Sequence, residues 1–130
     1  MGQADAPHAS PARVLLADDD ESFIDALRPL IENQPALTVV GSAQDGLAAI
    51  ELVEELHPDA VVIDVHLPVV DGVAAVARLR KDHPDLCLLA VTGDPDPELH
   101  RAVTDAGADA VLLKEDLVES LVDRLRALRR

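Results

Sequence analysis

A chain of 130 residues with 48% hydrophobic content and a net charge of −14 fits one domain that can bury a sizeable core. The charge disfavours nucleic acid, whose phosphates it would repel, and an anionic membrane surface. No stretch approaches the ~20 apolar residues of a membrane span.

With Phe23 as the one aromatic residue, the core must be aliphatic. The one cysteine, Cys87, forms no internal disulfide and reads as a buried structural thiol. Residues 1–12 read as a disordered tail, rich in Ala, Pro and polar residues. They have no apolar h-region of a secretory signal, so a cytoplasmic protein is the expectation.

From residue 13 onward, two patterns alternate. Residues 13–17 form a short apolar run that ends on Asp18, Asp19 and Asp20. Residues 21–34 have helical spacing, with Phe23, Leu27, Leu30 and Ile31 on one face; Pro29 removes a backbone bond and is expected to bend the helix. A second strand covers 37–41. A helix covers 45–56 through Leu47, Ile50 and Val53, and His57-Pro58 stops it. Residues 59–63 form a third strand that ends on Asp64. Residues 72–82 are helical through Val73, Val76 and Leu79, until His83-Pro84. A fourth strand (86–91), a helix (97–106) closed by Gly107, a fifth strand (109–113) and a last helix (117–128) follow. Leu117, Leu121, Leu125 and Leu128 line one side of that last helix.

Five strand–helix repeats with continuously apolar strands suit a parallel sheet covered on both faces. Five units are too few for the eight-fold barrel, so an open doubly wound α/β sheet is expected. Its active crevice lies at the C-terminal strand ends. Asp18–Asp20, Asp64, Thr92 and Lys114 follow strands 1, 3, 4 and 5, and Gly41-Ser42 closes strand 2. If strands 1 and 3 are neighbours, their acids share one crevice, where like charges need a cation or a shared proton. Two or three carboxylate oxygens suit a hard cation such as Mg2+. A carboxylate beside it can attack phosphorus, with Thr and Lys as partners for the phosphoryl oxygens.

The chain resembles the receiver domain of two-component response regulators over about residues 13–128. The carriers are Val-Leu-Leu-Ala-Asp18-Asp19, Val-Val-Ile-Asp64-Val-His-Leu-Pro68-Val-Val-Asp71-Gly72, Leu-Ala-Val-Thr92-Gly93 and Gly107-Ala-Asp-Ala-Val-Leu-Leu-Lys114. Each alone is common; together they stand in order, each at a predicted strand end. The resemblance implies a flavodoxin-like sheet of order 2-1-3-4-5 in a domain spanning 13–130. It implies Asp64 as the phosphoacceptor of a sensor histidine kinase. Mg2+ would be held by Asp18, Asp19, Asp64 and the backbone carbonyl of His66, with Asp18 acting largely through water. Thr92 and Lys114 would meet phosphoryl oxygens, Pro68 and Gly72 would shape the loop after Asp64, and Gly93 would leave room beside the site.

The chain also departs from the family pattern. Val111 stands where the family usually has an aromatic switch residue, and Glu115 stands where many members have Pro, as in a subgroup attached to helix-turn-helix output domains. Pro95 and Pro97 stiffen the entry to helix 4. The expected behaviour is a monomer or a weak phosphorylation-dependent dimer, acting through protein contacts or an output domain.

Rival readings follow from the same residues. Asp18–Asp20 alone suit helix capping as well as metal ligation, Asp20 especially, and a register shifted to Asp19-Asp20 is the alternative pairing. His57, His83 and His100 read as cap or surface residues, whereas the His66 side chain could lie near the phosphoryl group. A haloacid-dehalogenase-type phosphatase wants a second acid two residues after the nucleophile, where this chain has His66. A flavodoxin-like carrier would find its phosphate repelled by Asp18–Asp20. A degenerate receiver acting as a constitutive binding module rests on Val111 alone.

Overall fold

The computed structural model describes residues 10–127. Strands β1 (Ala12–Ala17), β2 (Leu37–Ala43), β3 (Ala60–Asp64), β4 (Cys87–Thr92) and β5 (Ala110–Leu113) alternate with α1 (Glu21–Glu32), α2 (Gly46–Leu56), α3 (Gly72–Asp82), α4 (Pro97–Ala106) and α5 (Leu117–Arg126). A 3-10 turn, Lys114–Asp116, links β5 to α5. All pairings are parallel and the order is β2-β1-β3-β4-β5, as the family resemblance implied.

Continuous apolar strands follow from burial on both faces. Leu15, Val61, Ile63 and Leu88 point into a cluster with Val53 of α2, Val76 of α3 and Val103 of α4. Their alternate neighbours Val14, Leu16, Val62 and Leu89 pack with Ile24 and Ile31 of α1 and Leu121 and Leu125 of α5. In β2 the expected alternation breaks. Val39 pairs with Val14 but Gly41 with Leu15, so Val40 is an extra, unpaired residue. The bulge turns the strand over: Leu37 and Val39 face the α1/α5 cluster, and Ala43 the other.

Several side-chain expectations need correction. The buried stripe of α1 is Ile24, Leu27 and Ile31, while Leu30 is 41% exposed and Phe23 half-buried. In α2 the inward residues are Gly46, Ala49 and Val53, and Leu47 is exposed. Helix α1 continues through Pro29 to Glu32. Both Pro29 and Asp25 are exposed, so the missing bond faces water, which can satisfy the freed carbonyl. Ala12 is buried in β1, one residue before the expected domain start. Residues 1–9 of the expected tail, Leu128 and the side chain of Leu117 lie outside the described residues. Cys87 is half-buried rather than buried, and burial together with Asp109 pushes its thiol up to about 11. A thiol so raised stays protonated and unreactive at neutral pH.

Four of the 25 acidic residues start helices. Asp20, Asp45, Asp71 and Asp96 cap α1, α2, α3 and α4, each accepting a first-turn backbone N–H. Away from the strand C-termini, Arg80 ties α3 to the segments around β4 and β5. It donates to Leu86 O at 2.8 Å, Gly107 O at 2.9 Å and Asp109 Oδ2 at 2.8 Å. His57 ends α2 in a left-handed conformation (φ 49°), and His83 pairs with Glu54 at 2.6 Å.

The loop from β3 to α3 is clamped by two glycines. A Cβ on Gly72 would lie 2.3 Å from Asp64 O and 2.5 Å from Val65 Cα; one on Gly46 would lie 1.8 Å from Val70 O. The Gly72 and Gly46 N–H groups donate to Val65 O and Pro68 O. Within the loop, Val69 is held at φ 69° with 77% of its surface exposed. That backbone conformation is strained for a β-branched residue.

Gly72→Ala is expected to lower the unfolding free energy by about 1–3 kcal/mol, read by urea denaturation. Val69→Gly is expected to raise it by up to about 1 kcal/mol, the relieved strain being partly offset by glycine's chain entropy; a loss of stability would show that the loop is not strained there.

Candidate functional site

Strand register assembles the site. Ala17 pairs with Ile63, so the next residues, Asp18 and Asp64, end adjacent central strands side by side. Thr92 pairs with Leu113, which puts Lys114 just beyond the neighbouring strand end. Carboxylate oxygens of Asp18, Asp19 and Asp64 lie within 4.8 Å of one another. Asp18, Asp64 and Thr92 are buried and Asp19 is exposed.

Each buried acid is held on two sides. Asp18 Oδ1 accepts the Asp20 N–H at 2.9 Å, and Asp64 Oδ1 accepts the His66 N–H at 3.1 Å. Lys114 Nζ lies 2.8 Å from Asp18 Oδ2 and 3.4 Å from Asp64 Oδ2. Despite that short distance, the buried Asp18 Oδ2 accepts no hydrogen bond of regular geometry. The Lys114 ammonium is the group against this oxygen, and acceptor capacity remains on Asp18. Three clustered carboxylates with unspent acceptor capacity fit a hard divalent cation such as Mg2+.

Burial raises the Asp18 pKa above its ordinary value and the Asp64 charge adds to this, while Lys114 and the Asp20 N–H oppose it. Burial would lower the Lys114 pKa, but the Asp18 and Asp64 carboxylates more than offset it, and the net shift is upward. The ammonium stays charged throughout the physiological range.

Thr92 Oγ1 accepts the Asp94 N–H at 3.0 Å, which leaves its own hydroxyl proton available to a ligand oxygen. The His66 side chain is exposed and, with Asp19, Pro68, Asp71 and Leu99, lines a cleft of about 520 Å3 beside the acids. A Cβ on Gly93 would meet nothing within 4 Å, so space is open there. His100 sits on α4 with Nε2 2.7 Å from Asp94 O, away from the acids' hydrogen bonds. Val111 is half-buried and packs on the α2/α3/α4 side of the sheet. Sequence reasoning missed Phe23, whose ring centroid lies 4.4 Å from Lys114 Nζ. The available signal was its position on the first turn of the helix that follows the acids.

The family model of the response regulator receiver domain matches residues 14–126. This chain belongs to the response regulator receiver family. Response regulator MprA of Mycobacterium sp. strain KMS is 38% identical over 120 residues, covering 92% of this receiver and 51% of the relative. The nitrate/nitrite response regulator NarP of Escherichia coli K12 is 32% identical over 121 residues, covering 93% and 56%. The receiver thus spans about half the length of the curated relatives it matches. A LuxR-family two-component response regulator from Aurantimonas sp. SI85-9A1 superposes with a TM-score of 0.85 at 31% identity, covering 92% of this chain and 86% of that one. The NarL receiver domain of Mycobacterium tuberculosis gives 0.82 at 26%, covering 90% and 98%. Among the described residues, no helix is long and apolar enough to cross a membrane.

Asp18→Asn is expected to raise the unfolding free energy of the metal-free receiver at neutral pH, because it removes a buried charge that also repels Asp64. An ionised Asp18 is less favourable in the fold than in the unfolded chain, because its folded pKa is raised. That penalty is full above the folded pKa and fades as pH falls toward 3.8, so the gap between the two proteins should close over that window. Chemical denaturation across pH checks it; a gap that is constant or widens on acidification contradicts it.

Proposed function

We propose that this receiver is a phosphorylatable switch in which Asp64 accepts a phosphoryl group from the phosphohistidine of a sensor histidine kinase. The observation that carries the reading is the contact of Lys114 Nζ with both Asp18 and Asp64 beside three clustered carboxylates. An Asp64 oxygen attacks phosphorus, the P–N bond of the donor breaks, and its electron pair leaves with the imidazole, which takes up a proton. The product is an acyl phosphate on Asp64.

Asp18, Asp19, Asp64 and the His66 backbone carbonyl would hold Mg2+, Asp19 directly and Asp18 largely through water. When bound, the ion supplies positive charge against the carboxylates and the incoming phosphoryl oxygens. Lys114 gives up one carboxylate contact and pairs with a phosphoryl oxygen. Thr92 donates its hydroxyl proton to another, and the His66 N–H keeps Asp64 oriented. The exposed His66 ring borders the cleft through which donor and water approach, so it can influence hydrolysis.

The receiver catalyses its own modification and turns over no external metabolite. In a cytoplasmic two-component pathway, its output runs through protein contacts or an attached output domain, with at most weak pairing of receivers. The −14 charge argues against direct nucleic-acid contact by this domain.

With Mg2+ and a small acyl phosphate donor, intact-protein mass spectrometry is expected to record one added phosphoryl group on the wild type and none on Asp64→Ala. Chelation of Mg2+ should abolish the gain. Equal addition on both proteins, or none on the wild type, would sink the proposal. If partner binding is the same with and without the phosphoryl group, the receiver is a constitutive binding module.

A further inference from the structure

We infer that Phe23 is a positioning residue for Lys114, its ring face holding the ammonium over the acidic crevice where phosphoryl oxygens arrive. The inference rests on the receiver chemistry proposed above. A lysine is a point charge on a flexible four-carbon stem, and left alone it spreads over many rotamers. Lys114 is part-exposed, with 27% of its side-chain surface open, so water competes for it. Asp18 and Asp64 draw Nζ toward the crevice at 2.8 and 3.4 Å. The Phe23 ring lies 4.4 Å from the same nitrogen, well inside the ~6 Å over which an aromatic face attracts a cation.

The ring is itself held in place. Asp20, the N-cap of α1, accepts the Phe23 N–H with its side chain at 3.3 Å and with its carbonyl at 3.1 Å. The half-buried ring packs against the cluster beneath α1 and α5. Burial of α1 is already supplied by Ile24, Leu27 and Ile31, so Phe23 is not needed to complete that stripe.

The ring suits this task because it attracts without accepting a directed bond. On phosphorylation Lys114 must exchange a carboxylate for a phosphoryl oxygen. A third carboxylate beside it would compete for the ammonium; a π face keeps the nitrogen close and lets its hydrogens turn.

Phe23 is the chain's one phenylalanine, so biosynthetic incorporation of mono-, di- and trifluorinated phenylalanine changes this ring alone. Fluorination drains the ring face of negative charge with little change of volume. The initial rate of phosphorylation by an acyl phosphate in Mg2+ should fall stepwise, to about a three- to fivefold loss for the trifluorinated ring, with the thermal midpoint held. Phe23→Leu should lose a similar factor and Phe23→Tyr restore it. In a Lys114→Met background, Phe23→Leu should cost nothing further. Proton NMR should show the Lys114 ε-methylene shifted upfield by the ring current and released in Phe23→Leu. A flat fluorination series, an equal loss in both Lys114 backgrounds, or an unshifted ε-methylene would overturn the inference alone. A wild type that takes no phosphoryl group would overturn the receiver reading and this inference with it.

Discussion

Two buried carboxylates, Asp18 and Asp64, end neighbouring central strands, and the architecture of the site is arranged around keeping them there. A parallel sheet covered on both faces puts its strand tips together at one edge, out of bulk water, and so concentrates the repulsion. Lys114 answers it from the tip of β5, and backbone N–H groups of Asp20 and His66 answer it locally. The balance is incomplete, as the raised pKa of Asp18 and its under-bonded Oδ2 show. What remains is a cluster of three carboxylates compatible with a bound Mg2+.

The loop between β3 and α3 serves the same end. Close backbone approach at Gly46 and Gly72 seats it against two helix starts, and the left-handed Val69 lies between them. On the other side, Thr92 is tied to Asp94, and Asp94 to His100 on α4. A continuous set of hydrogen bonds therefore leads from the crevice to α4, on the sheet half where Val111 offers no ring to reorient.

Strand and helix positions were legible because the periodicity was clean: five short apolar runs, each followed by a spaced helix and often by Gly or Pro. The acids, Thr92 and Lys114 were legible because each follows an apolar run. Sheet order was not, since nothing in residues 13–17 says which strand lies beside them; it came from family resemblance. The face of α1 was misread because Phe23 and Leu30 fit a helical stripe almost as well as Ile24 does, and large side chains drew the choice. Leu47 misled in α2 for the same reason, where small residues, Gly46 and Ala49, make the close contacts. The aromatic contact to Lys114 joins residues 91 positions apart (114 less 23) in β5's exit and α1's first turn, and no local pattern encodes it.

Val40 decides where β2 can change length. Residues before it and after it face opposite sides of the sheet, and its unpaired backbone is the pivot. Deleting this one residue restores an unbroken alternation in which Leu37 and Val39 keep the α1/α5 face and Ala43 the other, because Val39 and Gly41 already pair with the consecutive residues Val14 and Leu15. Losing a paired residue such as Thr38 or Ser42 instead would turn part of the strand over. Val40 is therefore the one position in β2 at which the strand can shorten without exchanging its faces.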